Sequence, residues 1–103
     1  MHFNSAGNTD AHGIEVFHKH NCLTSVALAT DMHGSLAEHT SLSGTSRAHP
    51  VAPGNFAVLN NSNAPAGLVE PGFMSNSSDL YFIANNQFSI AEALAQGVVN
   101  HLR

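Results

Sequence analysis

Residues 66–70, Ala-Gly-Leu-Val-Glu, form a nearly continuous apolar segment that ends in an acidic residue and is followed at once by Pro71 and Gly72. An uninterrupted apolar segment of this length is typical of a parallel strand that is covered on both faces. We therefore expect a central strand in a sheet with helices on both faces, which is an α/β fold. The Pro-Gly turn places the Glu70 carboxylate at the carboxyl end of the strand, where such sheets open into a crevice.

A helix is predicted over residues 24–39, because apolar residues recur there at every fourth position. These residues are Leu28, Met32 and Leu36. Thr24 or Ser25 can cap the start of the helix, and the Ser43-Gly44 pair lies shortly past its end.

The clearest helix prediction covers residues 87–102, where a broad apolar stripe has helical spacing. The stripe consists of Ile90, Ala91, Leu94, Ala95, Val98, Val99 and Leu102. A shorter helix is expected before it, capped by Ser77 or Ser78, with Asp79 in its first turn near the positive end of the helix dipole.

Strands are predicted in three other places. Residues 13–18 alternate in polarity and are rich in β-branched and aromatic side chains, and residues 56–59 form a second apolar segment of strand length. Residues 1–4 resemble the last residues of a strand, so we expect the chain to begin inside an element. Residues 45–54 contain two prolines and one glycine without a period, which predicts a loop.

Together these elements predict one domain over residues 1–103, because a chain of this length holds one domain at most. The expected architecture is a partial three-layer α/β sheet with about three to four strands and two to three helices. Complete sheets of this kind usually have more strands. Further strands are therefore expected from another chain or from a larger domain.

Composition excludes several classes of function. Lys and Arg together number 3 against 7 acidic residues, so we expect no nucleic-acid partner. Cys22 is the single cysteine, which excludes an internal disulfide and a zinc site built from cysteines. The apolar segments are short and the N-terminus lacks the pattern of a signal peptide, so neither membrane insertion nor export is predicted from this chain.

Two residues are candidates for chemistry. Glu70, at the end of its strand, is placed for general-base catalysis, although such a carboxylate could instead cap a helix or pair with Arg47. His2, at the end of the first strand, fits a metal ligand with Asn4 beside it. Most of the 8 histidines are expected to be solvated polar residues, since no His-x-x-x-His pair occurs.

The order of several short motifs resembles the zinc-dependent N-acetylmuramoyl-L-alanine amidases, the peptidoglycan hydrolases of the amidase type 3 family. Met-His-Phe-Asn-Ser-Ala at residues 1–6 is similar to the family's Ser-Ile-His-x-Asn-Ala, and Gly-Ile-Glu-Val-Phe at residues 13–17 to its Gly-Val-Glu-x-Tyr. Residues 68–76 match Leu-Val-Glu-x-Gly-Phe-x-Ser-Asn, and residues 91–98 match Ala-Glu-Ala-Ile-Ala-x-Gly-Ile. The resemblance covers essentially the whole chain.

This resemblance implies a zinc hydrolase that cuts the amide between N-acetylmuramic acid and L-alanine in peptidoglycan. His2 then corresponds to the last of three zinc ligands, Glu70 to the catalytic glutamate, and Asn4 to a residue that orients the site. The family's first two ligands, a histidine in a Gly-His-Gly-Gly loop and a glutamate on the next helix, have no counterpart here. The chain therefore corresponds to the C-terminal half of the catalytic domain, with one matched zinc ligand.

Three hypotheses about function follow. The first is an amidase completed by an N-terminal segment, acting at the cell envelope, outside the cell or as a phage-encoded lysin. The second is a non-catalytic remnant that binds peptidoglycan or an intact amidase. The third is a structural α/β fragment without activity.

Overall fold

Three strands and four helices make up the computed structural model, which describes residues 1–42 and 45–103. In chain order they are β1 (Ile14–His18), α1 (Leu23–His39), β2 (Val51–Pro53), α2 (Ala57–Asn60), β3 (Gly67–Pro71), α3 (Ser77–Asn85) and α4 (Gln87–Leu102). The predicted α/β class is confirmed. One helix more than expected is present, because the segment predicted as the strand 56–59 is helical.

The strands form a mixed sheet in the order β2-β1-β3. β1 is parallel to β2, with Val16 opposite Val51, and antiparallel to β3, with Val16 opposite Val69. Residues 2–4 run along the outer side of β3, where Asn4 forms a parallel bridge with Phe73. The N-terminal segment therefore extends the sheet beyond β3, as the interpretation of residues 1–4 as a strand end requires.

The hydrophobic core lies between one face of the sheet and helices α1 and α4. Its buried members include Ile14, Val16 and Val69 from the sheet, and Leu36 and Ile90 from the helices. The Ser35 hydroxyl donates a hydrogen bond of 2.6 Å to the Ala93 carbonyl, joining α1 to α4 inside the core. This packing fixes the sheet, and Glu15, Phe17, Leu68 and Glu70 occupy the alternate positions of the strands, on the opposite face.

The predictions for residues 45–60 are wrong in two places. Val51–Pro53 is a strand inside the predicted loop, and the proline is tolerated because β2 lies at the edge of the three-stranded sheet. The predicted strand 56–59 contributes instead to the one-turn helix α2, of which only Leu59 is buried. A short apolar segment does not distinguish a strand from a helix, and here the Phe56 ring packs against Phe17, 5.1 Å between centroids.

The prediction that residues 66–70 form a parallel strand is wrong for the pairing with β1, because β3 runs antiparallel to β1. β1 is the middle one of the three strands, and β3 lies between β1 and residues 2–4, which run parallel beside it. Burial along β3 alternates, with Val69 and Pro71 buried and their neighbours half-buried. The apolar segment is thus a strand of an antiparallel pair that is buried on one face only. The apolar side chain of Leu68 therefore does not indicate a helix layer on the other face of the sheet.

Helices α1 and α4 have the predicted extents to within one residue, but the caps differ. Cys22 is the N-cap of α1 and makes no side-chain cap bond, while the Ser25 hydroxyl accepts a hydrogen bond from the Ala66 amide. Asn76, not Ser77 or Ser78, caps α3 by accepting from the Asp79 amide at 3.0 Å. The Ser43-Gly44 pair lies outside the described residues.

Candidate functional site

Glu70 is held near the end of β3 by the turn that follows it. β3 continues one residue beyond the predicted end, and the Gly72 amide then donates a 3.0 Å hydrogen bond back to the Glu70 carbonyl. Gly72 has φ +105°, a conformation that favours glycine, and a side chain there would press on Ile83. The Pro-Gly pair therefore bends the chain immediately after the carboxylate without reversing it, since Phe73 continues beside Asn4 in a parallel bridge.

The buried carboxylate of Asp79 holds this turn in place by hydrogen bonds. Its Oδ2 atom accepts hydrogen bonds from the Phe73 amide at 2.9 Å and from the Gly13 amide at 2.8 Å. Gly13 precedes β1 and Phe73 follows β3, so one side chain joins the ends of both strands. From the sequence, Asp79 is expected only at the start of a helix, because its contact with Gly13 spans 66 residues.

Directly across the sheet from Glu70 lies a second carboxylate, that of Glu15. Opposite residues of an antiparallel pair have Cβ atoms about 4.5–5.5 Å apart, so their side chains interact. Glu15 was not predicted as a site residue, since its role depends on a strand register that one sequence does not show. The available signal was that Glu15 is the single acidic residue in an otherwise apolar and aromatic strand segment.

The pKa of Glu70 is raised above its ordinary value, first by burial and second by the negative charge of Glu15. The charges of His2 and Arg47 act in the opposite direction and lower it. A raised pKa makes the carboxylate a stronger base, which suits a group that accepts and returns a proton.

His2 is exposed on the segment beside β3, and its backbone amide donates to the Val69 carbonyl at 2.8 Å. Val69, the hydrogen-bond partner of His2, is the immediate neighbour of Glu70 in the chain. The structure therefore brings the two predicted site residues to the same end of the sheet. Asn4 is half-buried and donates from its side-chain amide to Glu15 at 2.7 Å.

Arg47 pairs with Glu15, and not with Glu70 as the alternative interpretation proposed. Its Nε atom lies 3.8 Å from the Glu15 Oε2 atom, and its guanidinium stacks 4.9 Å above the ring centroid of Phe73. The described part of the chain shows no ion pair between Arg47 and Glu70. The Glu70 carboxylate therefore faces the open side of the sheet without an ion-pair partner among these residues.

The residues present do not by themselves fit a zinc site. Catalytic zinc normally has three protein ligands, and within residues 1–42 and 45–103 no three His, Cys, Asp or Glu side chains are grouped to hold a metal ion. Other histidines make local contacts elsewhere: His12 with the Asp10 carbonyl, His18 with the Lys19 carbonyl and His101 with Asp31. Unlike these three histidines, His2 lies on the segment beside Glu70, where its amide donates to the Val69 carbonyl.

No helix in the described part of the chain combines the length and the apolarity needed to span a bilayer.

Comparison with known proteins identifies the fold and the family. No curated protein matches the chain in sequence. Among solved structures, an N-acetylmuramoyl-L-alanine amidase from Clostridium difficile 630 aligns with a TM-score of 0.84 at 30% identity, over 97% of this chain and 54% of its own. The catalytic domain of CwlV, an N-acetylmuramoyl-L-alanine amidase from Bacillus (Paenibacillus) polymyxa, gives 0.81 and 30%, over 97% and 54%.

The CwlD amidase from Clostridioides difficile, solved in complex with the GerS lipoprotein, shares the fold with a TM-score of 0.86 at 23% identity, over 97% of this chain and 51% of its own. The chain thus spans about half the length of these structures. The sequence pattern of the N-acetylmuramoyl-L-alanine amidase family matches residues 1–100, nearly the whole chain. The chain belongs to the N-acetylmuramoyl-L-alanine amidase family.

Proposed function

We propose that this chain carries the proton-transfer half of a peptidoglycan amidase, which hydrolyses the amide between N-acetylmuramic acid and L-alanine. The observation that supports it best is the Glu70 carboxylate, which has a raised pKa and lies at the open end of β3 beside His2, in a chain of the amidase family. Peptidoglycan is then its substrate. The cell envelope or the extracellular side, including release as a phage lysin, is its place of action.

In this proposal Glu70 acts as general base. It accepts a proton from the water that attacks the scissile carbonyl carbon, and it returns the proton to the leaving nitrogen of L-alanine as the carbon–nitrogen bond breaks. Burial and Glu15 favour the protonated carboxyl that forms midway, while Arg47 and His2 favour the ionised carboxylate that starts the cycle. Glu70 is thereby suited to pass between the two states.

His2 is proposed as one ligand of a catalytic zinc ion. Three protein ligands are normal for such a site, so the others must come from a segment that corresponds to the half of each relative that this chain does not match. In a completed site, His2 and the ligands from that segment would hold the ion, which would supply Lewis-acid chemistry to the scissile carbonyl and to the attacking water. His2→Ala should lower the zinc content of the completed protein by elemental analysis, and an unchanged zinc stoichiometry would exclude His2.

The test of function is complementation. The chain is mixed with the separately produced N-terminal half of the CwlV catalytic domain, with zinc and purified peptidoglycan, and newly freed L-alanine amino groups are counted. We expect release from the mixture and none from either half alone. Absence of release, despite formation of a complex between the halves, would contradict the proposed activity.

A second candidate is a non-catalytic module that binds peptidoglycan, favoured by the lack of a three-ligand metal group within the described residues. Sedimentation with purified cell walls separates the two. Binding that is retained with a chelator and in Glu70→Gln, together with no release of amino groups, would support the binding module. Loss of binding in the presence of the chelator favours the amidase.

A further inference from the structure

Glu15 lies in the middle strand of the sheet, and 12% of its side chain is exposed. It stands opposite Glu70, and two like charges in opposite positions destabilise a sheet. A buried carboxylate is also costly unless hydrogen bonds or opposite charges compensate for the lost hydration. The retention of a negative charge at this position therefore needs a compensating interaction.

Both carboxylate oxygens of Glu15 have such a partner. The Oε1 atom accepts a 2.7 Å hydrogen bond from the Asn4 side-chain amide, and the Oε2 atom faces the Nε atom of Arg47 at 3.8 Å. Arg47 is in turn fixed by its position above the ring of the buried Phe73. Glu15 is thus the group that connects the N-terminal segment, through Asn4, to the loop that carries Arg47.

Asn4 is the point at which the N-terminal segment is attached to β3 and its turn. Its backbone amide donates to the Gly72 carbonyl at 2.9 Å, and its carbonyl accepts from the Met74 amide at 2.7 Å. Two residues earlier, the His2 amide donates to the Val69 carbonyl. The bond from Asn4 to Glu15 adds a side-chain hydrogen bond to a segment that is also held by these backbone bonds and by the packing of Phe3 against the core.

We propose that Glu15 is a positioning residue of the site: it holds Asn4, and through Asn4 the segment that carries His2, in place beside Glu70. The catalytic importance of this placement rests on the proposed function, whereas the placement itself does not.

Amide hydrogen exchange, followed by NMR on the whole chain, tests the placement. Glu15→Ala should accelerate exchange of the Asn4 and Met74 amides by about tenfold or more, relative to the Gly54 amide, which donates to His18 at the far end of β1. Glu15→Gln keeps an acceptor for Asn4 at the same position and should restore both rates to within about threefold of the original chain.

Asn4→Ala removes the same hydrogen bond from the other side and guards against a Glu15→Ala variant that does not fold. It should accelerate the Met74 amide by the same factor, and adding Glu15→Ala to it should produce no further local acceleration. Additive effects, equal acceleration of the Gly54 amide, or no acceleration in either single variant would each overturn the proposal.

A kinetic measurement on the complemented enzyme separates this proposal from the proposed function. Glu15→Ala should lower kcat by about tenfold while KM stays within about twofold, with kcat largely regained in Glu15→Gln. If neither the original chain nor the variants release amino groups, the proposed function fails and the exchange results still decide the placement. Equal kcat values in Glu15→Ala and the original enzyme would reject the positioning role.

Discussion

At the scale of single residues, the site is defined by a carboxylate whose neighbours act on it in opposite directions. Burial and Glu15 raise the pKa of Glu70, and His2 and Arg47 lower it. Because the net shift is upward, the folded chain binds this proton more tightly than the unfolded chain. Folding stability from this group is therefore full below the ordinary glutamate pKa and is lost as pH rises through the raised folded pKa.

This sign predicts that Glu70→Gln stabilises the chain near neutral pH. The gain in Tm should be larger at about pH 7 than at about pH 3, where Glu70 is protonated in both folded and unfolded chains. Thermal unfolding of both proteins across this range checks it, with Glu92→Gln, an exposed position on α4, as the matched control. A Tm difference that does not change with pH would mean that the folded state leaves the Glu70 pKa where it is.

Asp79 joins the start of β1 to the end of β3 at the candidate site, because this residue is 7% exposed and its carboxylate accepts hydrogen bonds from the Gly13 and Phe73 amides. Asp79→Ala leaves both buried donors without an acceptor and should lower the free energy of unfolding by about 2–4 kcal/mol. Asp79→Asn retains an oxygen at the same place and should cost about half as much. Urea unfolding measures both, and equal losses in the two variants would show that the carboxylate charge, and not the acceptor, matters.

At the scale of elements, the contact between α1 and α4 depends on a glycine. A Cβ atom at Gly97 would lie 2.8 Å from the Met32 Cα atom and 3.1 Å from the Asp31 carbonyl oxygen, both of them backbone atoms. Gly34, in the interior of α1, has open space around the same position. Gly97 is thus in contact with the neighbouring helix, whereas Gly34 is not.

We expect Gly34→Ala to raise the free energy of unfolding by about 0.5–1 kcal/mol through helix propensity. Gly97→Ala gains the same propensity but forces α4 away from α1, so it should lower the free energy of unfolding by about 1–3 kcal/mol. Urea denaturation of both variants tests the helix contact. Stabilisation by Gly97→Ala equal to that by Gly34→Ala would show that the two helices do not pack this closely.

The elements that a single sequence predicts well are long ones, in which the apolar pattern repeats over several turns. The apolar stripe of α4 gave the correct bounds, because sixteen residues include more than four helical turns. Residues 51–60 were interpreted wrongly, since a three-residue strand and a one-turn helix are too short to show a period, and their conformation depends on pairing with β1 and on the Phe17–Phe56 contact. The predicted direction of β3 was wrong because an apolar segment does not show whether a strand pairs in a parallel or an antiparallel way.

At the candidate site, the position of Glu70 near the end of a strand could be predicted, because the end of an apolar segment and the Pro-Gly pair are both local in sequence. Glu15 and Asp79 could not, since each acts through a register or a hydrogen bond that joins distant segments. Their roles become visible only when the strands are paired.

At the scale of the whole molecule, the chain has a packed core on one face of its sheet and the candidate site on the other, and it spans about half the length of its structural relatives. It brings Glu70, Glu15, Asn4 and His2 to one end of the sheet, but the described residues supply no complete metal site. In the proposed function, this chain contributes the proton-transfer group Glu70, and the remaining metal ligands come from the half of each relative that the chain does not match.

The most direct test of this account is the rate at which the complemented chain releases L-alanine amino groups from peptidoglycan, compared between the original sequence and Glu70→Gln. The substitution keeps the size of the side chain and removes its ability to accept the proton. We predict a loss of at least about a hundredfold in kcat with the fold and the affinity between the two halves unchanged. An equal rate from Glu70→Gln would contradict the assignment of Glu70 as the proton-transfer group.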